Sequence, residues 1–148
     1  MLTVDALTLG YGAEPVLQGA HVHVAKGQFV SLVGPSGSGK TSLLRAIMGL
    51  QRQDSGTVSL DVDGDHVGYL FQDDALLPWR TAQHNVALGL LAHGWDKRKA
   101  YDKAGTWLAR FGLTGLGDRF PRQLSGGQRK RVALAQVLAL EPKLILMD

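Results

Sequence analysis

A chain of 148 residues, 45% of them apolar, is long enough to bury the core of one domain. Sixteen Lys and Arg against thirteen Asp and Glu leave a formal charge of +3, which suits a nucleotide, nucleic acid or an anionic surface and selects none of them. The absence of cysteine excludes disulfides and thiolate metal sites, no signal peptide is recognisable, and no apolar run can span a bilayer, so the chain reads as soluble or at most peripheral.

Residues 2 to 9 mix apolar and short polar side chains as a strand does, and Gly10-Tyr11-Gly12 breaks the pattern. Residues 16 to 24 form a second expected strand, with His21 and His23 on one face. Such a pair can ligate a metal, but no third ligand is close in sequence, and histidines on an exposed face account for it. Lys26-Gly27 then turns the chain into Phe29-Val30-Ser31-Leu32-Val33, expected as a buried strand.

Gly34-Pro35-Ser36-Gly37-Ser38-Gly39-Lys40-Thr41 follows, opening a helical pattern in which Leu43, Leu44, Ile47 and Leu50 share a face. Strand, glycine-rich turn and helix are the setting of a phosphate-binding loop. Gly34, Gly37 and Gly39 allow a close backbone approach, so that amide N–H groups surround phosphate oxygens at a helix N-terminus. Lys40 supplies a point charge for the outer phosphates, and the Thr41 hydroxyl is placed to ligate Mg²⁺. A turn that binds nothing is the plain alternative, yet the four fixed positions rarely coincide by chance.

Gly49 ends the helix, and Asp54-Ser55-Gly56 turns into a strand at residues 57 to 60. After a turn at Asp63-Gly64-Asp65, residues 66 to 71 form another strand, ending at Gln72. A loop containing Pro78 spans residues 73 to 80, and helices are expected at 82 to 92 and 96 to 111. The second sets Lys97, Arg98, Lys99 and Lys103 opposite Ala100, Ala104, Trp107, Leu108 and Phe111. Residues 112 to 121 are glycine-rich and irregular. Ser125-Gly126-Gly127-Gln128 opens a last helix running to about residue 140. Ser with Gln three residues on makes a capping box, which would suffice as a structural explanation. The two glycines fit it less well, since each costs about 1 kcal/mol in a helix; they leave bare amides, which also make an anion site. Leu144-Ile145-Leu146-Met147-Asp148 is expected as a buried strand ending in a carboxylate, where a parallel-sheet nucleotide enzyme keeps a Mg²⁺ ligand.

Together, residues 34 to 41, Gln72, Leu124 to Gln128 and the apolar run into Asp148 resemble the ATP-binding-cassette ATPases over essentially the whole chain. The resemblance implies an α/β P-loop NTPase: a RecA-like core with an antiparallel β subdomain and a helical subdomain. The implied divisions are 1–72 for the β subdomain and phosphate-loop core, 73–125 for the helical subdomain, and 125–148 for the signature helix and last strand. ATP would be bound by Tyr11, which stacks on adenine, and by Gly34, Pro35, Ser36, Gly37, Ser38, Gly39, Lys40, Thr41 and Ser42. Thr41, Gln72 and Asp148 would attend Mg²⁺, with Lys40 and Gln72 as the catalytic residues present. Ser125, Gly126, Gly127 and Gln128 would contact ATP held by a second subunit of a head-to-tail homodimer.

Residues 73 to about 100 occupy the region that receives the coupling helix of a membrane permease. The segment from Phe71 to Arg80 looks like importers of nitrate, taurine, sulfonates and thiamine precursors. That implies an ATP-binding import subunit on the cytoplasmic face of the inner membrane, served indirectly by a solute-binding protein. A related ATPase acting on nucleic acid is the alternative, disfavoured by the short helical insert and the lack of coiled-coil heptads; a non-catalytic nucleotide-binding fragment is a third reading. Gln136 stands where relatives often carry Arg. The family's glutamate after the aspartate, its dimer-contact loop and its switch histidine would all follow Asp148, as would a strand that inserts beside residues 29 to 33. The chain is therefore expected to be a fragment of a longer domain, incomplete after Asp148, with little turnover by itself.

Overall fold

A computed structural model describes residues 1–10, 14–62 and 66–148. They form two compact units, Met1–Val67 with Asp148 in one and Gly68–Met147 in the other.

In the first unit β1 (Leu2–Gly10) lies between β2 (Pro15–Val24) and β3 (Ser55–Leu60), antiparallel to both. Leu2 faces Val24 and Leu60, and Val4 faces Val22 and Val58. Strict alternation would send Leu7 and Leu9 to the opposite side from Leu2 and Val4. A bulge prevents it. Ala6 takes φ 46°, and the register slips between Val4 and Leu7 against β2 and between Asp5 and Thr8 against β3. All four apolar side chains are thereby buried. His21 and His23 are exposed on β2 and find local partners: His21 Nδ1 is 2.8 Å from Asp5 Oδ1, and His23 Nδ1 is 3.2 Å from Thr3 Oγ1.

The helix after the glycine-rich turn, α1 (Lys40–Ile47), buries Leu43, Leu44, Ala46 and Ile47. Leu50, expected on that face, is 62% exposed. The helix stops first: Gly49 is left-handed at φ 69°, Gly49 N donates to Ala46 O at 3.0 Å and Leu50 N to Arg45 O at 2.9 Å. This double closure satisfies the last carbonyls and carries Leu50 off the helix. The buried strand expected at residues 29 to 33 also does not form. Phe29 and Val33 are 87% and 93% exposed, and no strand is paired with the stretch among the described residues. An extended segment becomes a strand only when a neighbour takes its N–H and C=O groups, and hydrophobic composition cannot replace that neighbour.

In the second unit β4 (Val67–Leu70) pairs with β5 (Leu144–Met147), and three helices follow one another as α2 (Ala82–Ala92), α3 (Lys97–Arg110) and α4 (Gly126–Leu138). Thr81 caps α2 by accepting from His84 N at 3.3 Å, and Asp96 caps α3 by accepting from Lys99 N at 3.1 Å. Alanines at 82, 87, 100, 104 and 135 are fully buried between the helices, with Val86, Leu90 and Val132 filling the space around them. Small residues at the contacts let the helix axes come close. The irregular stretch expected after α3 is present, but Leu113 in it is only 1% exposed and anchors it to the helical core. Among the described residues no helix is long and apolar enough to cross a membrane.

Candidate functional site

The glycine-rich loop of the first unit is built from its own backbone. Ser38 N donates to Pro35 O at 3.3 Å, and Gly39 caps α1 in the left-handed region at φ 87°. A Cβ on Gly39 would lie 2.7 Å from the Leu17 side chain of β2, so conformation and space both demand glycine there. With the cap residue lacking a side-chain oxygen, the first amides of α1 are left to an outside acceptor. The Lys40 ammonium turns back over the loop. It donates to Gly34 O at 2.9 Å, to Pro35 O at 2.7 Å and to Ser38 Oγ at 3.3 Å, using all three of its donors. Ser36 and Gly37 are exposed, and Ser42 is buried with the apolar face of α1.

Thr41 and Asp148 meet in this unit. Thr41 Oγ1 donates to Asp148 Oδ1 at 2.7 Å across 107 positions of sequence. A hydroxyl and a carboxylate side by side next to a phosphate-type loop are hard oxygen donors of the kind Mg²⁺ takes. Tyr11 lies outside the described residues.

The second unit carries the other expected residues. Ser125 caps α4: its Oγ accepts from Gln128 N at 3.2 Å, and Gln128 Oε1 accepts from Ser125 N at 2.8 Å. The capping box is therefore real, and it occupies the Gln128 side-chain oxygen. It does not account for the glycines. Nothing lies within 4 Å of a Cβ placed on Gly127, and only the Arg129 guanidinium, at 3.8 Å, near one placed on Gly126. Neither glycine is required by a positive φ. Neither crowding nor backbone conformation thus explains the two glycines at the exposed start of α4.

Gln72 is exposed, and its backbone carbonyl accepts a hydrogen bond from Lys130 Nζ. Three further residues of this region escaped sequence reasoning: Asp74, Arg129 and Lys130. Arg129 Nε donates to Asp74 Oδ2 at 3.0 Å, and Lys130 Nζ lies 3.3 Å from Asp74 Oδ1. The only signal in the sequence is an acidic pair after Gln72 and a basic run after Gln128, and nothing local links them.

A family model described as ABC transporter matches residues 17–148. The chain belongs to that family. Curated members similar to it include the nitrate import ATP-binding protein of Synechocystis, 42% identical over 93% of this chain and 53% of that protein. The taurine import ATP-binding protein of Yersinia pestis is 42% identical over 100% of this chain and 60% of its own length. The sulfate/thiosulfate import ATP-binding protein of Thermosynechococcus vestitus is 40% identical over 99% and 46%. The chain thus spans about half the length of the curated relatives it matches. An ATP-binding cassette solved as a dimer in a post-hydrolysis state with ADP and Pi matches at a TM-score of 0.87 and 32% identity, over 100% of this chain and 73% of that one. A dimeric bacterial ABC transporter cassette matches at 0.88 and 33%, with the same coverage. The fold is that of the ABC cassettes, an α/β P-loop NTPase.

Proposed function

We propose that the chain supplies the ATP-binding part of an import ATPase, converting ATP binding and hydrolysis into transport by membrane permease subunits. The observation that carries this is the Thr41–Asp148 contact, because it sets two oxygen ligands 107 positions apart in sequence side by side at the helix that opens at Lys40. In this reading the amides of residues 34 to 39 and the Lys40 ammonium hold the ATP phosphates, Ser42 supports them from α1, and Tyr11 stacks on adenine. Thr41 and Asp148, with Gln72, would hold Mg²⁺, which when bound offsets phosphate charge. Three oxygens of the loop orient the Lys40 ammonium.

Ser125, Gly126, Gly127 and Gln128 would receive the terminal phosphate of ATP held by a second copy, since Gly126 and Gly127 leave an exposed helix start that neither crowding nor a positive φ requires. The names of similar proteins, import ATP-binding proteins for sulfate or thiosulfate, nitrate and taurine, support solutes of that kind; a separate solute-binding protein and a place on the cytoplasmic face of the inner membrane belong to the same proposal. The proposed division assigns residues 1–72 to the β subdomain and phosphate-loop core, 73–125 to the helical subdomain, with residues 73 to about 100 receiving the permease, and 125–148 to the signature helix and magnesium-ligand strand.

Equilibrium titration of the full-length protein with MgATP, together with co-purification from cells expressing its permease subunits, tests this reading. Nucleotide binding and membrane association are expected. Salt-sensitive retention on DNA or RNA without membrane association would overturn the transport assignment.

A further inference from the structure

The region around Asp74 holds more ionic contacts than its position in a loop requires. The Asp74 side chain is 18% exposed and faces two cations of α4, Arg129 at 3.0 Å and Lys130 at 3.3 Å. Both cations also reach backbone oxygens. Arg129 Nη1 donates to Leu124 O at 3.0 Å, the residue before the Ser125 cap, and Lys130 Nζ donates to Gln72 O. One carboxylate therefore joins residues 72 to 74 to the chain immediately before and within the first turn of α4. The Ser125–Gln128 cap closes the same turn from the other side.

We infer that Asp74 is a positioning residue that fixes the exposed amides of Ser125, Gly126 and Gly127 relative to the loop after Gln72. Two consequences follow from charge alone. Asp74 holds Arg129 and Lys130 in fixed directions, so these cations do not turn freely towards an anion at the start of α4. It also makes the loop and the helix start move as one body, so that a displacement at Gln72 is transmitted to Ser125. An aspartate has the length for this. Asp74 Oδ2 accepts a hydrogen bond from Arg129, while Oδ1 attracts the Lys130 ammonium through charge without a hydrogen bond, which a neutral amide of the same shape cannot do.

The inference rests on the proposed role of Ser125 to Gln128, and its test separates the two. Hydrogen exchange at residues 124 to 128 is measured in the full-length protein without nucleotide for Asp74→Asn, Arg129→Gln and the double variant. Each single variant is expected to raise exchange roughly fivefold, the effect of a partly exposed ion pair, and the double variant by clearly less than the product of the two, because Arg129 keeps one contact, to Leu124 O, that does not depend on Asp74. ATP-driven association, followed by light scattering, should fall in the same order while MgATP affinity of the monomer stays unchanged. Unaltered exchange in Asp74→Asn, or additive effects in the double variant, would overturn the inference. So would full ATP-driven association in a variant with loosened exchange. If the unaltered protein did not associate with ATP, the proposed function would fail instead, and the exchange cycle would still decide the tie.

Discussion

Lys40 illustrates how little a residue needs from the rest of the chain once its loop is set. Its ammonium is oriented by Gly34 O, Pro35 O and Ser38 Oγ, all within six positions. Lys40→Ala removes a charge-assisted contact to phosphate, so MgATP affinity should drop by about 1.5–3 kcal/mol in equilibrium titration. The three contacts are near solvent, so thermal stability should change by less than about 1 kcal/mol. Unchanged affinity would mean that the loop does not hold phosphate. Asp148 is the opposite case: its partner Thr41 is 107 positions away in sequence, and a strand-ending aspartate is common enough to signal little alone.

At the scale of elements, α2 is tied to the loop before it chiefly by the Asn85 side chain, beside the Thr81 cap. Asn85 is fully buried. Its Oδ1 accepts from Leu77 N at 2.7 Å, and its Nδ2 donates to Leu77 O at 3.2 Å, Arg80 O at 3.1 Å and Thr81 O at 3.0 Å. Residues 77 to 81, with Trp79 67% exposed among them, take their shape from this amide. Asn85→Leu fills a similar volume but strands the Leu77 amide and its carbonyl, so unfolding free energy should fall by about 3 kcal/mol or more; a loss below about 1 kcal/mol would show that the loop holds itself. The α2–α3 contact carries a pH dependence. Burial, then the nearby charges of Arg80 and Lys97, lower the His84 pKa below its usual 6.5. The neutral ring also meets the Tyr101 hydroxyl at 2.6 Å. The unfolded chain then binds the proton more readily than the folded one. Stability is complete above pH 6.5 and declines as the pH falls below it. Thermal melts of the unaltered protein and His84→Gln between pH 7.5 and 5 should diverge for this reason, with the variant flatter.

For the whole molecule, stability and function pull Gly127 in opposite directions. A Cβ there meets nothing within 4 Å, and Ala is a better helix former than Gly. Gly127→Ala should therefore raise the melting temperature slightly, by up to about 1 kcal/mol of stability. The same methyl group would stand where a second subunit's nucleotide is proposed to approach, and ATP-driven dimerisation should weaken. Light scattering with ATP and a thermal melt on one preparation check both halves. Association as strong as in the unaltered protein would remove the reason offered for the bare helix start.

What could be read directly from the amino acids is what neighbours in sequence settle among themselves. The left-handed turn at Gly39, the cap at Ser125 and the amphipathic face of α3 each depend on residues within a few positions of one another. The phosphate-type loop and the family were legible for that reason. Other features depend on partners far along the chain. The bulge at Ala6 appears only when two strands flank β1, and residues 29 to 33 stay unpaired because apolar side chains cannot substitute for a neighbouring backbone. The Thr41–Asp148 and Asp74–Arg129 contacts span 107 and 55 positions. Closing loops of that length costs entropy that no local motif offsets, so only the packed tertiary structure decides which charged and polar groups meet.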